Sequence, residues 1–378
     1  MNSIPLCEPN LAGNEWTYVK ESLDSNWLSG GSYLRAFEKS MCEYTGAVYA
    51  IGVSSGTSAL HIALLVNKIE KNDLVIVPNL TFIATANAVT YVGAEPLLID
   101  IDSKTWLLDL DVLDEFLTTQ TYQKNNYCYY HKSKQRIKAI VLVHLLGNMP
   151  DMERLLSLTQ RYNIELIEDA AGSLGSFYKG KHAGTFGSVG TFSFNSNKII
   201  TTAGGGMVIT DDALIAQQVK HLITQAKTGT IEYLHDQIGY NYRLVNPLAA
   251  IGLAQMEYLN SFVTKKQKIA AYYTQELSTI PNLGFQTISP GVNSNFWHFV
   301  ITVPNSRKLI QYLAEFKIET RPLWIPIQEL PAFKNNVYIS KNHTTAGVAN
   351  KGIMLPCSTS ITQEQLAFVV KKIKSFYL

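Results

Sequence analysis

The sequence predicts an α/β protein: a mostly parallel sheet sandwiched by helices, with a smaller C-terminal α+β domain. Its 378 residues, of which 46% are apolar and 16% charged, can bury a large core and are typical of two domains. Short apolar segments alternate with helix-patterned segments through the first two thirds of the chain. The predicted strands are almost continuously apolar, which is typical of parallel strands that helices cover on both faces.

Strands are predicted at short apolar runs, and helices where apolar residues recur at helical spacing. In chain order, the predicted strands are residues 47–53, 74–77, 96–101, 138–144, 164–167, 189–194 and 207–210. The predicted helices among them are residues 58–66, 82–89, one from about 110, 151–162, and one capped by Asp211 or Asp212 that runs to about 224. Residues 127–136, which are aromatic and basic, are interpreted as a solvated excursion between a helix and a strand.

Asn246-Pro247 interrupts the pattern and predicts a domain boundary. Residues 1–245 are expected to form the large domain, and residues 246–378 the small C-terminal domain. The second part begins with a long predicted helix over residues 248–274, continues with short strands, and ends with a helix over residues 363–376.

Charge and motif spacing exclude several classes of protein. The net charge of +2 at pH 7 gives no electrostatic argument for binding nucleic acid or an anionic membrane. The four cysteines form no C-x-x-C pair and the eight histidines no H-E-x-x-H motif, so no metal site is predicted. The N-terminus lacks the features of a signal peptide, and no apolar run approaches the roughly 18 residues of a spanning helix. We therefore expect a cytoplasmic protein with neither nucleic-acid nor membrane partners.

Ligands of open parallel sheets bind beyond the carboxyl ends of the strands, where helix N-termini present free N–H groups. The first predicted strand is followed by Ser54-Ser55-Gly56-Thr57-Ser58. Gly56 allows a close backbone approach and Thr57 adds a hydroxyl donor, so this segment could hold a phosphate. The alternative is that these small residues only cap a helix.

Two further strand ends carry candidate side chains. Phe82 follows the second strand, where it could stack on a planar ligand or pack in the core. Asp169 follows the fifth strand, and a buried carboxylate there needs a cation or strong donors. A protonated pyridine nitrogen is one such cation, and the alternative role is again a helix cap.

Lys198 lies in an apolar, glycine-rich segment between two strands, unlike a typical solvated lysine. Burial would lower its pKa and make it a nucleophile for an aldehyde, although most lysines are surface residues. Taken together, the four sites offer a phosphate cradle, an aromatic side chain, a carboxylate for a pyridinium and an amine for an aldehyde. This combination matches what pyridoxal phosphate requires of a protein.

The order of short motifs along the chain resembles a known family, the DegT/DnrJ-type sugar-nucleotide aminotransferases. The motifs are Ser-Gly-Thr-Ser-Ala-Leu, Thr-Phe-Ile-Ala-Thr, Glu-Asp-Ala-Ala, Gly-Thr-Phe-Gly, Phe-Ser-Phe up to Lys198, Gly-Gly-Met-Val and Gly-Tyr-Asn-Tyr-Arg-Leu. The resemblance extends from Pro9 to the C-terminal helix. It implies the type I fold of pyridoxal phosphate-dependent transferases, and a homodimer with active sites at the subunit interface.

The resemblance also implies roles for individual residues. Lys198 would bind the cofactor aldehyde covalently, Asp169 would pair with the pyridine nitrogen, and Phe82 would stack on the ring. The phosphate would be held by Gly56, Thr57, Ser193 and, from the neighbouring subunit, Asn241. The chain departs from the family at Gly172, where relatives often carry His, Gln or Glu, so no contact is assigned to that position.

The predicted reaction is amino transfer from L-glutamate to C4 of a nucleotide-linked 4-keto-6-deoxy sugar. Residues 173–184, 197–202 and 320–324 are similar to the branch that forms UDP-4-amino-4,6-dideoxy-N-acetylglucosamine, a precursor of bacillosamine or legionaminic acid. In that branch Arg321 would contact the nucleotide phosphates or form a structural ion pair. GDP-perosamine synthases share much of the pattern and are the alternative.

Three other classes of protein fit the sequence less well. Related sugar dehydratases carry His in place of the lysine, whereas Lys198 is present here. A nicotinamide-dependent dehydrogenase would need a glycine fingerprint after the first strand, and Ser54-Ser55-Gly56-Thr57 has a single glycine. A non-catalytic regulator that binds DNA would be expected to carry a basic patch, which the sequence lacks.

Overall fold

A central sheet with helices on both faces organises the molecule. The computed structural model describes residues 3–229 and 231–377. Within them the helices are α1 Glu15–Asp24, α2 Ser32–Thr45, α3 Gly56–Val66, α4 Ala84–Tyr91, α5 Leu110–Gln120, α6 Met152–Tyr162, α7 Ala213–Leu222, α8 Asn246–Met256, α9 Leu259–Leu277, α10 Ser306–Glu315, α11 Thr344–Lys351 and α12 Gln363–Tyr377. Short 3₁₀ turns lie at Leu145–Gly147 and Ile327–Glu329.

The strands of the described residues fall into one large sheet and several small ones. They are β1 Tyr49–Val53, β2 Leu74–Pro78, β3 Glu95–Ile99, β4 Thr121–Lys124, β5 Tyr127–Tyr130, β6 Arg136–Val143, β7 Glu165–Asp169, β8 Phe177–Tyr178, β9 Lys181–His182, β10 Val189–Ser193, β11 Gly206–Thr210, β12 Lys227–Thr228, β13 Leu234–His235, β14 Gly284–Phe285, β15 Val292–Asn293, β16 Phe299–Thr302, β17 Arg321–Pro322, β18 Tyr338–Ile339 and β19 Gly352–Leu355.

The large sheet is mostly parallel, as the sequence predicts. Its main order is β1-β11-β10-β7-β6-β2-β3-β18, and β11 runs antiparallel to both of its neighbours. The other pairs along this order are parallel. Val53 and Ser193 both pair with Gly206, so the ends of β1 and β10 and the start of β11 meet at one edge.

Apolar cores on both faces of this sheet explain why its strands are continuously apolar. Successive residues of β2 alternate between the faces: Leu74 and Ile76 join one core, and Val75 and Val77 join the other. The first core includes side chains of α2, α5 and α6. The second includes side chains of α3, α4 and α7. Burial on both faces therefore holds the carboxyl ends of the strands in fixed positions.

A separate apolar core lies in the C-terminal part of the chain. It joins α9, α10 and α12 to the sheet β14-β16-β19-β17, and it includes Ile4 from the N-terminal segment. Helix α8, which begins at Asn246, packs against α1 and α2 of the N-terminal part. The boundary between residues 1–245 and 246–378 therefore stays a prediction. None of the described helices is long and apolar enough to cross a membrane.

The prediction of one long helix over residues 248–274 is wrong. The structure has two helices, and the first ends at Met256 while the second begins at Leu259. Neither Gly nor Pro marks this break. Beside it, Glu257 accepts hydrogen bonds of 2.8 and 2.6 Å from Asn14 Nδ2 and Tyr18 Oη.

The predicted excursion at residues 127–136 contains regular structure. Strands β4 and β5 form a hairpin that continues into β6. Its turn consists of Asn125 and Asn126, which both have positive φ values of 51° and 64°. Asparagine adopts this conformation readily, as a two-residue hairpin turn requires. Helices α1 and α2, which precede the first predicted strand, were not predicted.

Candidate active site

A cavity of about 380 Å³ opens where the carboxyl ends of the parallel strands meet. Such volumes are typical of small-molecule sites. It lies beyond the ends of β1, β2, β6, β7 and β10 and the start of β11. Six of the predicted site residues line it together: Gly56, Thr57, Phe82, Asp169, Ser193 and Lys198.

One end of the cavity is formed by the N-terminus of α3. Ser55 caps this helix, because its hydroxyl accepts a 3.0 Å hydrogen bond from the backbone N–H of Ser58. The first N–H groups of a helix have no acceptor within it and are available to an anion. A Cβ added at Gly56 would lie 2.6 Å from Cβ of Ser193, so only glycine lets the helix start and the end of β10 come this close. The result is a concave group of N–H and hydroxyl donors.

The carboxylate of Asp169 lies on another wall of the cavity and is held in place. Thr85 donates a 2.7 Å hydrogen bond from its hydroxyl to Oδ2, and the backbone N–H of Ala171 donates a 3.2 Å bond to Oδ1. Asp169 is buried. A fixed, buried carboxylate is suited to pair with a cationic ring nitrogen.

Lys198 is the cationic group of the cavity, and its amine is easily deprotonated. Burial lowers the pKa of Lys198 to about 8, although the nearby Asp169 carboxylate and the Cys7 thiol act in the opposite direction. Its Nζ lies 3.5 Å from the centre of the Trp297 ring. An amine with this pKa is partly neutral near pH 8, which a nucleophile for an aldehyde requires.

Glu168, next to Asp169, points away from the cavity and supports its wall. It accepts hydrogen bonds from His144 Nε2 at 2.7 Å and from the backbone N–H groups of Gly184, Phe186 and Gly187 at 2.9, 2.6 and 2.7 Å. Burial acts to raise the pKa of Glu168, but these hydrogen bonds and the charge of His144 lower it below its usual value. The Gly-Thr-Phe-Gly motif is therefore a turn built around this carboxylate.

Phe82 lies at the mouth of the cavity with 57% of its surface exposed. This exposure argues against the alternative that Phe82 packs in the core. An aromatic ring in this position can cover a planar ligand that enters the cavity.

Asn241 and Arg321 do not line the cavity of their own chain. Asn241 is exposed, and its backbone forms a bridge with Thr224. Arg321 is exposed and forms a 3.0 Å ion pair with Glu319. The structure thus brings together six of the eight predicted site residues.

Several residues of the cavity were not singled out from the sequence. His144 could have been found, because it ends a predicted strand and lies at the same edge as Asp169. Its Nδ1 is buried and has no hydrogen-bond partner within residues 3–229 and 231–377. Thr85 lies in the first turn of α4, and its hydroxyl is 3.1 Å from that of Thr81 and donates to Asp169. Trp297 arrives from the C-terminal part, where no local motif marks it. Trp324 lies in the segment 320–324 of the family resemblance, which assigns no role to this side chain.

These features fit pyridoxal phosphate. The donor group at α3 and Ser193 suits a phosphate, the buried carboxylate suits a pyridinium, and the lysine of low pKa suits an aldehyde. Fold and site together define a pyridoxal phosphate-dependent enzyme with the type I transferase fold.

Comparison with known proteins identifies the family. The model of the DegT/DnrJ/EryC1/StrS aminotransferase family matches residues 9–374, and the chain belongs to this family. A GDP-perosamine synthase from Escherichia coli O157:H7 is 38% identical over 100% of this chain and 99% of its own. A GDP-perosamine synthase from Caulobacter vibrioides is 35% identical over 97% of this chain and 96% of its own.

A solved structure shows the same fold. The chain matches a DegT DnrJ EryC1 StrS aminotransferase from Brucella abortus with a TM-score of 0.89 and 25% identity, over 96% of this chain and 95% of that chain. The protein is therefore a pyridoxal phosphate-dependent sugar aminotransferase, which takes an amino donor and a nucleotide-linked keto sugar as substrates.

Proposed function

We propose that this enzyme transfers the amino group of L-glutamate to C4 of a GDP-linked 4-keto-6-deoxyhexose. The observation that carries the proposal is the lysine of low pKa in one cavity with a fixed carboxylate and a helix N-terminus. The identity of the nucleotide rests on the relatives, since the two named above are GDP-perosamine synthases. They favour GDP over the UDP-linked N-acetyl sugar that the short motifs predict.

Each residue of the cavity has a role in this reaction. When bound, pyridoxal phosphate supplies an aldehyde that accepts amino groups and a ring that withdraws electrons. Neutral Nζ of Lys198 would move the proton from Cα of the amino donor to the aldehyde carbon of the cofactor and, in the second half-reaction, a proton from that carbon to C4 of the sugar. Asp169 keeps the pyridine nitrogen protonated, and Phe82 covers the ring.

The group of donors at the start of α3 would hold the phosphate of the cofactor. The donors are the backbone N–H groups there, the Thr57 hydroxyl and the Ser193 hydroxyl. Asp169 would hold the pyridine nitrogen, and Lys198 would supply the amine that reacts with the aldehyde.

The enzyme acts as a homodimer in which each subunit completes the other's site. Asn241 contributes to the phosphate site of the neighbouring subunit, which agrees with its exposed position outside its own cavity. Two exposed apolar groups supply a surface for this contact. They are Trp16, Leu23, Trp27 and Leu28 near the N-terminus, and Ile231, Tyr233, Leu234 and Ile238 around β13.

The visible absorption spectrum of the purified enzyme tests the reaction and the nucleotide together. L-glutamate is expected to bleach the yellow band of the bound cofactor, and the GDP-linked keto sugar is expected to restore it. Restoration only by UDP-4-keto-6-deoxy-N-acetylglucosamine would retain the reaction and reject GDP. A protein that stays colourless with added pyridoxal phosphate would overturn the proposal, and Lys198→Met, which lacks the amine, is the control for the band.

A further inference from the structure

Trp297 reaches the cavity from the C-terminal part of the chain, and the face of its indole meets Lys198. Nζ lies 3.5 Å from the ring centre. An ammonium group in this position is attracted by the electron-rich face of the ring. The carboxylate of Asp169 accepts hydrogen bonds from Thr85 and Ala171. The indole gives the ammonium a second partner besides this carboxylate.

Trp297 is fixed on several sides. Its Nε1 donates a 2.6 Å hydrogen bond to the carbonyl of Asn197, the residue before Lys198. Its backbone N–H donates a 2.9 Å bond to Oδ1 of Asn295, and its ring stacks on Trp324 with centroids 6.3 Å apart. The same side chain thus faces the lysine ammonium and binds the backbone beside it.

The indole also packs closely against Gly172. A Cβ added to Gly172 would lie 2.3 Å from Cε3 and 2.9 Å from Cζ3 of Trp297, closer than side-chain carbons approach. The indole cannot move away without breaking its bond to Asn197 or its stack on Trp324. Position 172 departs from the family pattern, and Trp297 fills the space that a side chain there would need.

We propose that Trp297 is a positioning residue for Lys198: its indole holds the lysine ammonium in the cofactor-free enzyme, and Gly172 is required to seat the indole. The inference rests on the proposed role of Lys198. Holding the ammonium over the ring keeps Nζ inside the cavity and leaves the Asp169 carboxylate for the pyridine nitrogen.

The electrostatic surroundings of Lys198 allow the indole of Trp297 to change the pKa of Lys198 by a measurable amount. Burial lowers the pKa of Lys198 to about 8, and the attraction of the ring for the ammonium acts against burial. The other titratable groups that face Lys198 or adjoin it across the cavity walls come from several segments. They are Asp169 on β7, Cys7 in the N-terminal segment, His144 after β6, Lys266 on α9, and His298 next to Trp297.

Stepwise fluorination of the indole at position 297 tests the proposal with only a small change in the size of the side chain, and it retains the N–H donor. Fluorine withdraws electrons from the ring face, so the ammonium loses its partner while burial stays the same. Mono-, di- and tetrafluorotryptophan are placed at position 297 of the full-length chain by codon suppression, and the cofactor is removed. The pKa of Lys198 is then measured from the pH dependence of its acetylation by trace acetic anhydride, with peptide mass spectrometry.

The pKa is expected to fall stepwise with fluorination, by roughly half a unit to one unit in total. Fluorination of Trp106, which is buried and does not line the cavity, is the matched control and should leave the pKa of Lys198 unchanged. An unchanged pKa across the series at position 297 would overturn the proposal. Because the readout needs neither cofactor nor turnover, it is independent of failure of the proposed aminotransferase reaction.

A second measurement tests the requirement for Gly172. Gly172→Ala is expected to lower the thermal stability of the enzyme, and the loss should be smaller in a Trp297→Leu background, which removes the clash. Gly347→Ala on α11 is the control, because an added Cβ there meets nothing within 4 Å. Equal losses for Gly172→Ala in both backgrounds would show that the indole does not require this glycine.

Discussion

At the scale of a single residue, burial of the Lys198 ammonium destabilises the folded protein. Its pKa is lowered from 10.5 to about 8, chiefly by burial. Below pH 8 the amine is protonated in both the folded and the unfolded state, and the folded protein carries the full cost of a buried charge. Between pH 8 and 10.5 the unfolded chain binds more protons than the folded one, so stability rises with pH there.

Replacing Lys198 by Met should therefore stabilise the cofactor-free enzyme at neutral pH. We expect the free energy of unfolding at pH 7 to increase by up to about 3 kcal/mol, and the gain to shrink as pH approaches 10. Urea unfolding of the wild type and of Lys198→Met at pH 7 and pH 10 measures this gain. A gain that is the same at both pH values would contradict the cost assigned to Lys198.

Thr85 is the side chain that fixes the Asp169 carboxylate, through a 2.7 Å hydrogen bond. Thr85→Val keeps the shape and removes the donor, so the carboxylate is less well aimed at the pyridine nitrogen. We expect about a tenfold slower bleaching of the cofactor band by L-glutamate in a single turnover, with cofactor retained. The exposed Thr90 at the end of the same helix is the control, and Thr90→Val should react at the normal rate.

At the residue scale, the sequence predicts a site residue when that residue lies at the end of a predicted strand. The ends of strands predict Phe82 and Asp169, whereas Ser193 is predicted from the family resemblance, and all three line the cavity. Trp297 could not be predicted in this way, because its place beside Lys198 depends on how the C-terminal part packs on the sheet.

At the scale of elements, the end of β7 serves two purposes because successive side chains of a strand point to opposite sides. Asp169 faces the cavity, while Glu168 faces the turn formed by residues 184–187 and His144. The Glu-Asp pair therefore joins the cofactor wall to the supporting turn behind it.

Glu168→Gln should weaken this support severely. The buried carboxylate accepts bonds from His144 and from three backbone N–H groups, and an amide nitrogen in its place would face donors. We expect a loss of about 2–4 kcal/mol in the free energy of unfolding at pH 7, measured by urea unfolding. Because the folded pKa is lowered, the stabilisation exists above the unfolded pKa of about 4.5 and is lost as pH falls through the folded value.

The matched control is Glu95→Gln on β3, where the side chain is exposed. This variant should unfold at nearly the same urea concentration as the wild type. A Glu168→Gln variant that behaved like this control would contradict the role of Glu168 as the support of the turn.

Elements were predicted well where apolar periodicity decides them and less well where distant contacts do. Seven strands of the large sheet follow from apolar runs, since both of its faces are buried, whereas β4, β5 and β18 of the same sheet were not predicted. No Gly or Pro marks the break between α8 and α9 in the sequence, and Glu257 beside it accepts hydrogen bonds from the distant Asn14 and Tyr18. For the hairpin of β4 and β5, the consecutive Asn125 and Asn126 are a local indication of a turn in the sequence.

At the scale of the whole molecule, the N-terminal and C-terminal parts are joined by several contacts. Ile4 forms a parallel bridge with Ile318 and belongs to the C-terminal core. Trp297 of the C-terminal part forms a wall of the cavity at the edge of the large sheet. Residues of both parts therefore form the site. This explains why the strand ends in the first two thirds of the chain predicted only some of its residues.

Whether each site also needs a second subunit can be tested by mixing two inactive chains. Lys198→Met removes the amine of its own site, and Asn241→Ala is expected to weaken the site of the neighbouring subunit strongly. Neither residue lies in a core cluster, so both variants should fold. When the two chains are denatured together in equal amounts and refolded, half of the dimers should contain one chain of each kind.

In such a mixed dimer one site carries both substitutions, whereas the other retains Lys198 from one chain and Asn241 from its neighbour. Half of the dimers are mixed, and each of these has one intact site of its two. About a quarter of wild-type activity should therefore return. Each variant refolded alone is the control and should stay near its own low activity. If Asn241 instead acted within its own chain, every site of the mixture would lack one of the two residues, and mixing would restore nothing.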